Sequence, residues 1–165
     1  MTESYLQRFG GIARLYGNNA LPRLLQARVA VIGVGGVGSW VVEALARSGV
    51  GKLTLIDMDD VCITNVNRQL PAMDGTIGLL KTSVLAQRIA LINPECQVQE
   101  VVEFVTPSNV ERLMNQGFSY VIDAVDRMSI KAAIIATCRS LQVPVLTIGS
   151  AGGRRDSTRV NVIDL

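Results

Sequence analysis

The sequence predicts an α/β domain: a doubly wound, mostly parallel sheet with helices on both faces. Three observations predict it. Short β-branched runs recur along the 165-residue chain, helix-period segments lie between them, and a glycine-rich stretch sits where the first run gives way to the first such segment. Parallel strands need crossover connections, and helical crossovers cover both faces of the sheet.

Taken in order, the first 27 residues carry no strand pattern and are read as a loop-helix extension packed outside the sheet. The domain proper is assigned to residues 28–165. "RVAVIG", "KLTLID", "VQEVVEF", "YVID" and "VPVLTIG" are the buried strands. Between them, Val37, Val41, Ala44 and Leu45 share one helical face, as do Leu85, Ile89 and Ile92, and then Ile130, Ala133, Ile134, Thr137 and Leu141. "TPSNVERLMNQG" predicts a short helix with Thr106 as N-cap, Pro107 in its first position and Gly117 past its end. The closing "STRVNVIDL" predicts one more strand. The chain stops directly after it, which reads as truncation.

Composition narrows the chemistry. Apolar residues make up 48% and charged residues 18%, which suits a chain of this size burying about 70% of its unfolded surface. The net charge of +2 does not by itself imply a nucleic-acid partner. Its arginines are nevertheless clustered, with Arg8, Arg14, Arg23 and Arg28 near the start and Arg154, Arg155 and Arg159 near the end. Cys62, Cys96 and Cys138 are far apart, which predicts a reducing cytoplasm rather than a disulfide framework. No apolar run is long enough to span a bilayer. The histidine count of 0 removes the usual base at neutral pH, so chemistry here runs on carboxylates, cations and backbone amides.

The stretch "VAVIGVGGVGSW" holds Gly33-x-Gly35-x-x-Gly38 between a strand and a helix, the phosphate loop of a Rossmann-like unit. The helix amino end offers free N–H groups and partial positive charge to an anion. Asp57, at the end of the second strand, falls where an acid accepts hydrogen bonds from a ribose. Together they predict an adenosine nucleotide.

The segment after the second strand is unusual: "DVCITNVNRQL" places Asn65, Arg68 and Gln69 together, and Lys81 opens the next helix. A nicotinamide cofactor has no need of cations there. Attack on the α-phosphate of a triphosphate builds charge on the expelled pyrophosphate, and fixed cations stabilise it. Arg68 can fork two phosphate oxygens and Lys81 adds a point charge, while Asn65 and Gln69 are read as holding ribose, phosphates or the loop itself. "YVIDAVDR" ends in Asp123 and Asp126 at the carboxyl edge; Asp126 is assigned to Mg²⁺ and Asp123 to structure.

These residues resemble a known family. "GVGGVGSWVVEALARSGVGKLTLIDMDDVCITNVNRQ", "GLLK" and "VIDAVDR" are similar to the adenylating domain of the E1-like, ubiquitin-activating, ThiF-type superfamily. Within it, "QRFGGIARLYG", "LIDMDDVCITNVNRQ" and "INPECQV" most resemble the branch that cyclises N6-threonylcarbamoyladenosine at position 37 of tRNA. The resemblance implies ATP as cosubstrate, with Gly35 and Gly36 at the phosphates and Asp57 on the ribose. Asp59, Asn65, Arg68 and Lys81 would surround the triphosphate, and Asp126 would meet Mg²⁺. It also implies a homodimer, a tRNA partner carrying the modified adenosine, and a sulfur-transfer protein as a further partner. Gly11 stands where sulfur-carrier activators carry an arginine that reaches across the dimer, leaving Arg8 or Arg14 for that role. Three rival readings stand beside it: adenylation of a sulfur-carrier protein, a nucleotide-binding domain without turnover, and a dehydrogenase.

Overall fold

The computed structural model of the chain describes residues 1–149, 153 and 155–164. Five strands, β1 (Arg28–Ile32), β2 (Lys52–Ile56), β3 (Gln97–Val101), β4 (Tyr120–Asp123) and β5 (Val145–Thr147), form one sheet in the order β3-β2-β1-β4-β5. Every pairing is parallel. The sheet is thus wholly parallel, beyond the mostly parallel expectation. Ile32 aligns with Ile56 on one side and Asp123 on the other, so three strands end level at one edge. The chain runs outward from β1 in one direction and resumes at β4 in the other, which opens a crevice between their carboxyl ends.

The core lies in two layers because successive strand residues point to opposite faces. Val29, Val31, Leu53 and Leu55 pack on Val42 and Ala46 of α3 (Gly38–Arg47) and on Leu85 and Ile89 of α4 (Lys81–Ile92). On the other face Ala30, Ile32 and Ile56 meet Val110, Leu113 and Met114 of α5 (Val110–Met114) and Ile130, Ile134 and Cys138 of α6 (Met128–Ser140). β1 is covered on both faces, which is why it reads as a continuous apolar run.

The amino-terminal segment holds two helices rather than a loop and one helix: α1 (Glu3–Tyr16) and α2 (Ala20–Gln26). Thr2 caps the first by accepting the Tyr5 N–H, and Gly17 at φ +86° ends it. Tyr5, Phe9 and Leu21 form their own small core, and the Tyr5 hydroxyl donates to the Gly49 carbonyl at 2.6 Å. Gly49 lies just before β2, so the extension docks at the amino edge of the sheet, away from the crevice.

Three expectations are corrected. α5 starts at Val110, not Pro107: the Asn109 side chain accepts the Thr106 N–H at 2.8 Å, closing a turn that precedes the helix. On α3 Val41 and Leu45 pack against the core as expected, but Ala44 is exposed and the most buried line is Ser39, Val42, Glu43 and Ala46. The closing segment forms no strand among its described residues. Asp156 caps a single 3-10 turn, Ser157–Arg159, and Val160, Val162 and Ile163 pair with no neighbouring strand and stay exposed. Arg154 and Leu165 lie outside the described residues. Among the described residues no helix is long and apolar enough to cross a membrane.

Candidate active site

The crevice is a cleft of about 890 Å³ at the carboxyl edge of the sheet, and ten of the eleven residues singled out in the sequence line it; Gly38 does not. Gly33 and Gly38 serve the fold. Gly33 adopts φ +78°, and a Cβ there would come within 3.1 Å of the Ala124 carbonyl oxygen. A Cβ at Gly38 would sit 1.8 Å from the Gly33 carbonyl oxygen, so only glycine lets α3 start this close to β1. Gly35 and Gly36 differ. Their Cβ positions meet only side chains, Gln69 Nε2 at 3.6 Å and the Arg68 stem at 3.8 Å. The fold does not require glycine at either position; a ligand approaching the backbone would. α3 follows without a side-chain cap; its Ser39 and Trp40 N–H groups are taken by the Gly35 and Val37 carbonyls, which leaves the N–H groups of the glycine loop before them to face an anion.

At the end of β2 the Asp57 carboxylate is held from two sides. It accepts the Val34 N–H at Oδ2 and the Asp59 N–H at Oδ1, both at 2.8 Å. Asp59 in turn pairs with Lys81 Nζ at 2.7 Å. Lys81 is 5% exposed, which excludes a merely solvated helix residue and fixes its ammonium at the cleft wall. The loop between them is closed by its own side chains. Asn65 is buried and accepts the Cys62 N–H at 3.2 Å, so its amide holds the turn Ile63–Asn65.

Arg68 forms no ion pair among the described residues. Its Nη1 donates to the Thr64 carbonyl and to Asn67 Oδ1, each at 3.0 Å, and its stem lies over Gly36. Gln69 is buried with Oε1 unpartnered, a polar atom at the cleft that the protein itself does not satisfy.

At the end of β4 the two acids separate by role. Asp123 is fully buried and accepts from Lys131 Nζ at 3.0 Å, from the Val125 N–H at 3.0 Å and from the Thr147 hydroxyl, tying β4, β5 and α6 together. Asp126 is exposed on the cleft wall and makes no hydrogen bond or ion pair among the described residues. It does not cap α6, whose N-cap position belongs to Arg127. No cluster of three acid, histidine or cysteine ligands exists among the described residues. A lone free carboxylate fits Mg²⁺, which takes one or two carboxylates and completes its shell with phosphate oxygens and water.

The sequence reading missed part of the wall. Glu103, Phe104, Val105, Arg127, Ile130 and Ile148 also line the cleft. The signal was available: Glu103 and Phe104 end the run "VVEF" at the same sheet edge as Asp57. The three thiols stand outside it. Burial pushes Cys96 and Cys138 up to about 11, while the Thr64 hydroxyl bonded to exposed Cys62 draws that thiol down.

Comparison with known proteins shows the family and the fold of the chain. The chain is 58% identical over 163 residues to tRNA threonylcarbamoyladenosine dehydratase of Haemophilus influenzae, and 54% identical over 165 residues to that of Escherichia coli. These alignments cover 99% and 100% of this chain and 62% of each relative, so the chain spans under two thirds of their length. The crystal structure of the Escherichia coli dehydratase in complex with ATP superposes with a TM-score of 0.97 at 55% identity, covering 99% of this chain and 67% of that one. The ThiF family model matches residues 10–163, and the chain belongs to the ThiF family.

Proposed function

We propose that this chain is the ATP-binding, adenylating part of an enzyme that cyclises N6-threonylcarbamoyladenosine at position 37 of tRNA. One observation carries the reading. In a single cleft, Gly35 and Gly36 open their backbone to a ligand, and a cation that no carboxylate pairs among the described residues, Arg68, lies beside them. That is a site for a polyanion. The kinship with the ATP-bound dehydratase supports ATP as that polyanion.

ATP would lie with its ribose on Asp57, whose oxygens each keep a lone pair beyond the backbone bond they accept. Its base would rest against the apolar wall of Val105, Ile130 and Ile148. Arg68 and Lys81 would face the β- and γ-phosphates, with Asn65 holding the loop and Gln69 Oε1 open to the ligand. Asp126 would hold Mg²⁺, which supplies charge neutralisation along the phosphates when bound. The substrate carboxylate is ionised at neutral pH and attacks the α-phosphorus directly, so the step needs no base. A P–O bond forms, the bond to pyrophosphate breaks, and Arg68 and Lys81 stabilise the charge on the leaving group. Ring closure within the threonylcarbamoyl group then expels AMP. A homodimer and a cytoplasmic location belong to the same proposal.

The test combines the full-length protein with ATP, Mg²⁺ and tRNA carrying threonylcarbamoyladenosine. The expected result is pyrophosphate and AMP release with loss of one water from the modified nucleoside, read by mass spectrometry. Pyrophosphate release driven by the carboxyl terminus of a sulfur-carrier protein, with the tRNA unchanged, would overturn the substrate assignment. ATP binding without AMP formation would overturn the enzyme assignment.

A further inference from the structure

Two residues at the start of α3 have no part in the adenylation chemistry, yet they grip the loop that carries Arg68. The Trp40 indole N–H donates to the Arg68 carbonyl at 3.2 Å, and the Leu70 N–H donates to the Ser39 hydroxyl at 3.3 Å. Within its own loop, the Arg68 N–H is bonded to the Asn65 carbonyl at 3.1 Å. Both backbone groups of Arg68 are therefore held, one by its own turn and one by α3. Trp40 is 56% exposed and is the chain's 1 tryptophan, so core packing does not account for an indole at this position. Its polar edge is the part in use.

We infer that Trp40 and Ser39 form a clasp that positions Arg68 over the glycine loop, making Trp40 a positioning residue for triphosphate binding; this rests on the adenylation reading above. α3 starts from the glycine loop itself, so the element that receives the phosphates also sets the height of the cation above them. The clasp acts on ligands that reach Arg68. ATP and pyrophosphate do; AMP, lacking the β- and γ-phosphates, does not.

Trp40→Phe keeps an aromatic side chain but removes the indole N–H together with the five-membered ring that carries it. The released Arg68 carbonyl is exposed and bonds water, so the melting temperature of the variant stays at the parent value. Losing one neutral hydrogen bond at this point weakens ATP binding about five-fold, measured by calorimetry, and leaves AMP binding within about two-fold. Ser39→Ala removes the second bond and gives the same ATP-selective loss. In an Arg68→Ala background Trp40→Phe has no further effect on ATP affinity, because the group it positions is gone. Equal weakening of ATP and AMP, an undiminished effect in the Arg68→Ala background, or no loss at all would each overturn the clasp. A parent chain that binds no ATP would instead bring down the adenylation reading, and the clasp with it.

Discussion

Gly36→Ala separates ligand demand from fold demand. Gly36 does not use a positive φ, and a Cβ there would touch only the Arg68 stem at 3.8 Å, an ordinary contact. Replacing it restricts the unfolded chain and so stabilises the fold by about 0.4–1 kcal/mol. Gly38→Ala is the contrast: its methyl would lie 1.8 Å from the Gly33 carbonyl oxygen, where backbone must move. That costs at least about 1–3 kcal/mol. ATP at a hundred times its dissociation constant stabilises the parent by about 2.7 kcal/mol, a rise of roughly 5–10 °C for a domain of this size. In Gly36→Ala the methyl occupies the phosphate approach. A hundred-fold weaker affinity shrinks the rise to under about 2 °C, while the unliganded melting temperature holds or increases. The assay is thermal unfolding of parent and both variants with and without ATP. A Gly36→Ala protein that keeps the full ATP-induced rise would refute the placement of phosphates on this loop.

Further outcomes are expected from single changes elsewhere. Arg68→Ala lowers pyrophosphate release about 100-fold while ATP still binds, as loss of one charge-stabilising donor does in other enzymes; release assays and calorimetry on the same preparation check both halves. Asp123→Asn strands the Lys131 ammonium, which is 4% exposed, and destabilises the domain by about 3 kcal/mol, read from the urea midpoint. Glu43 accepts bidentate hydrogen bonds from Arg88 and another from Arg47, and they hold its carboxyl below the usual 4.5. A carboxylate lowered in the folded state contributes stability above its unfolded value and loses it as pH falls through the folded one. The stability gap between parent and Glu43→Gln is therefore constant above about pH 5 and closes in acid, which a pH series of urea melts measures.

Much of this was legible in the sequence because each signal had a local cause. Gly33 announces a turn through its own positive φ, and Gly38 announces a close helix-strand contact whose partner, the Gly33 carbonyl, lies in the same loop; both are as expected. The five strands were read from β-branched runs; β1, β2 and β4 are buried as expected, whereas the edge strands β3 and β5 are partly exposed. What was not legible depends on distant partners. "STRVNVIDL" has strand composition, but a strand exists only if another offers its edge, and none is paired with residues 160–164. The shift of α5 to Val110 came from a side chain, Asn109, outcompeting Thr106 for the turn. The Lys81–Asp59 pair joins residues 22 apart, and only the fold shows that the ammonium is buried rather than solvated. Trp40 carries no signal in the sequence, because its partner, the Arg68 carbonyl, lies 28 residues away.

The central claim is that Arg68 and Lys81 converge on a triphosphate seated over Gly35 and Gly36. A crystal structure of this chain with ATP and Mg²⁺ measures it directly. The expected result is β- and γ-phosphate oxygens within about 3 Å of both the guanidinium and the ammonium, a charge-assisted distance. Phosphates bound elsewhere, with those two side chains turned to solvent, would contradict it.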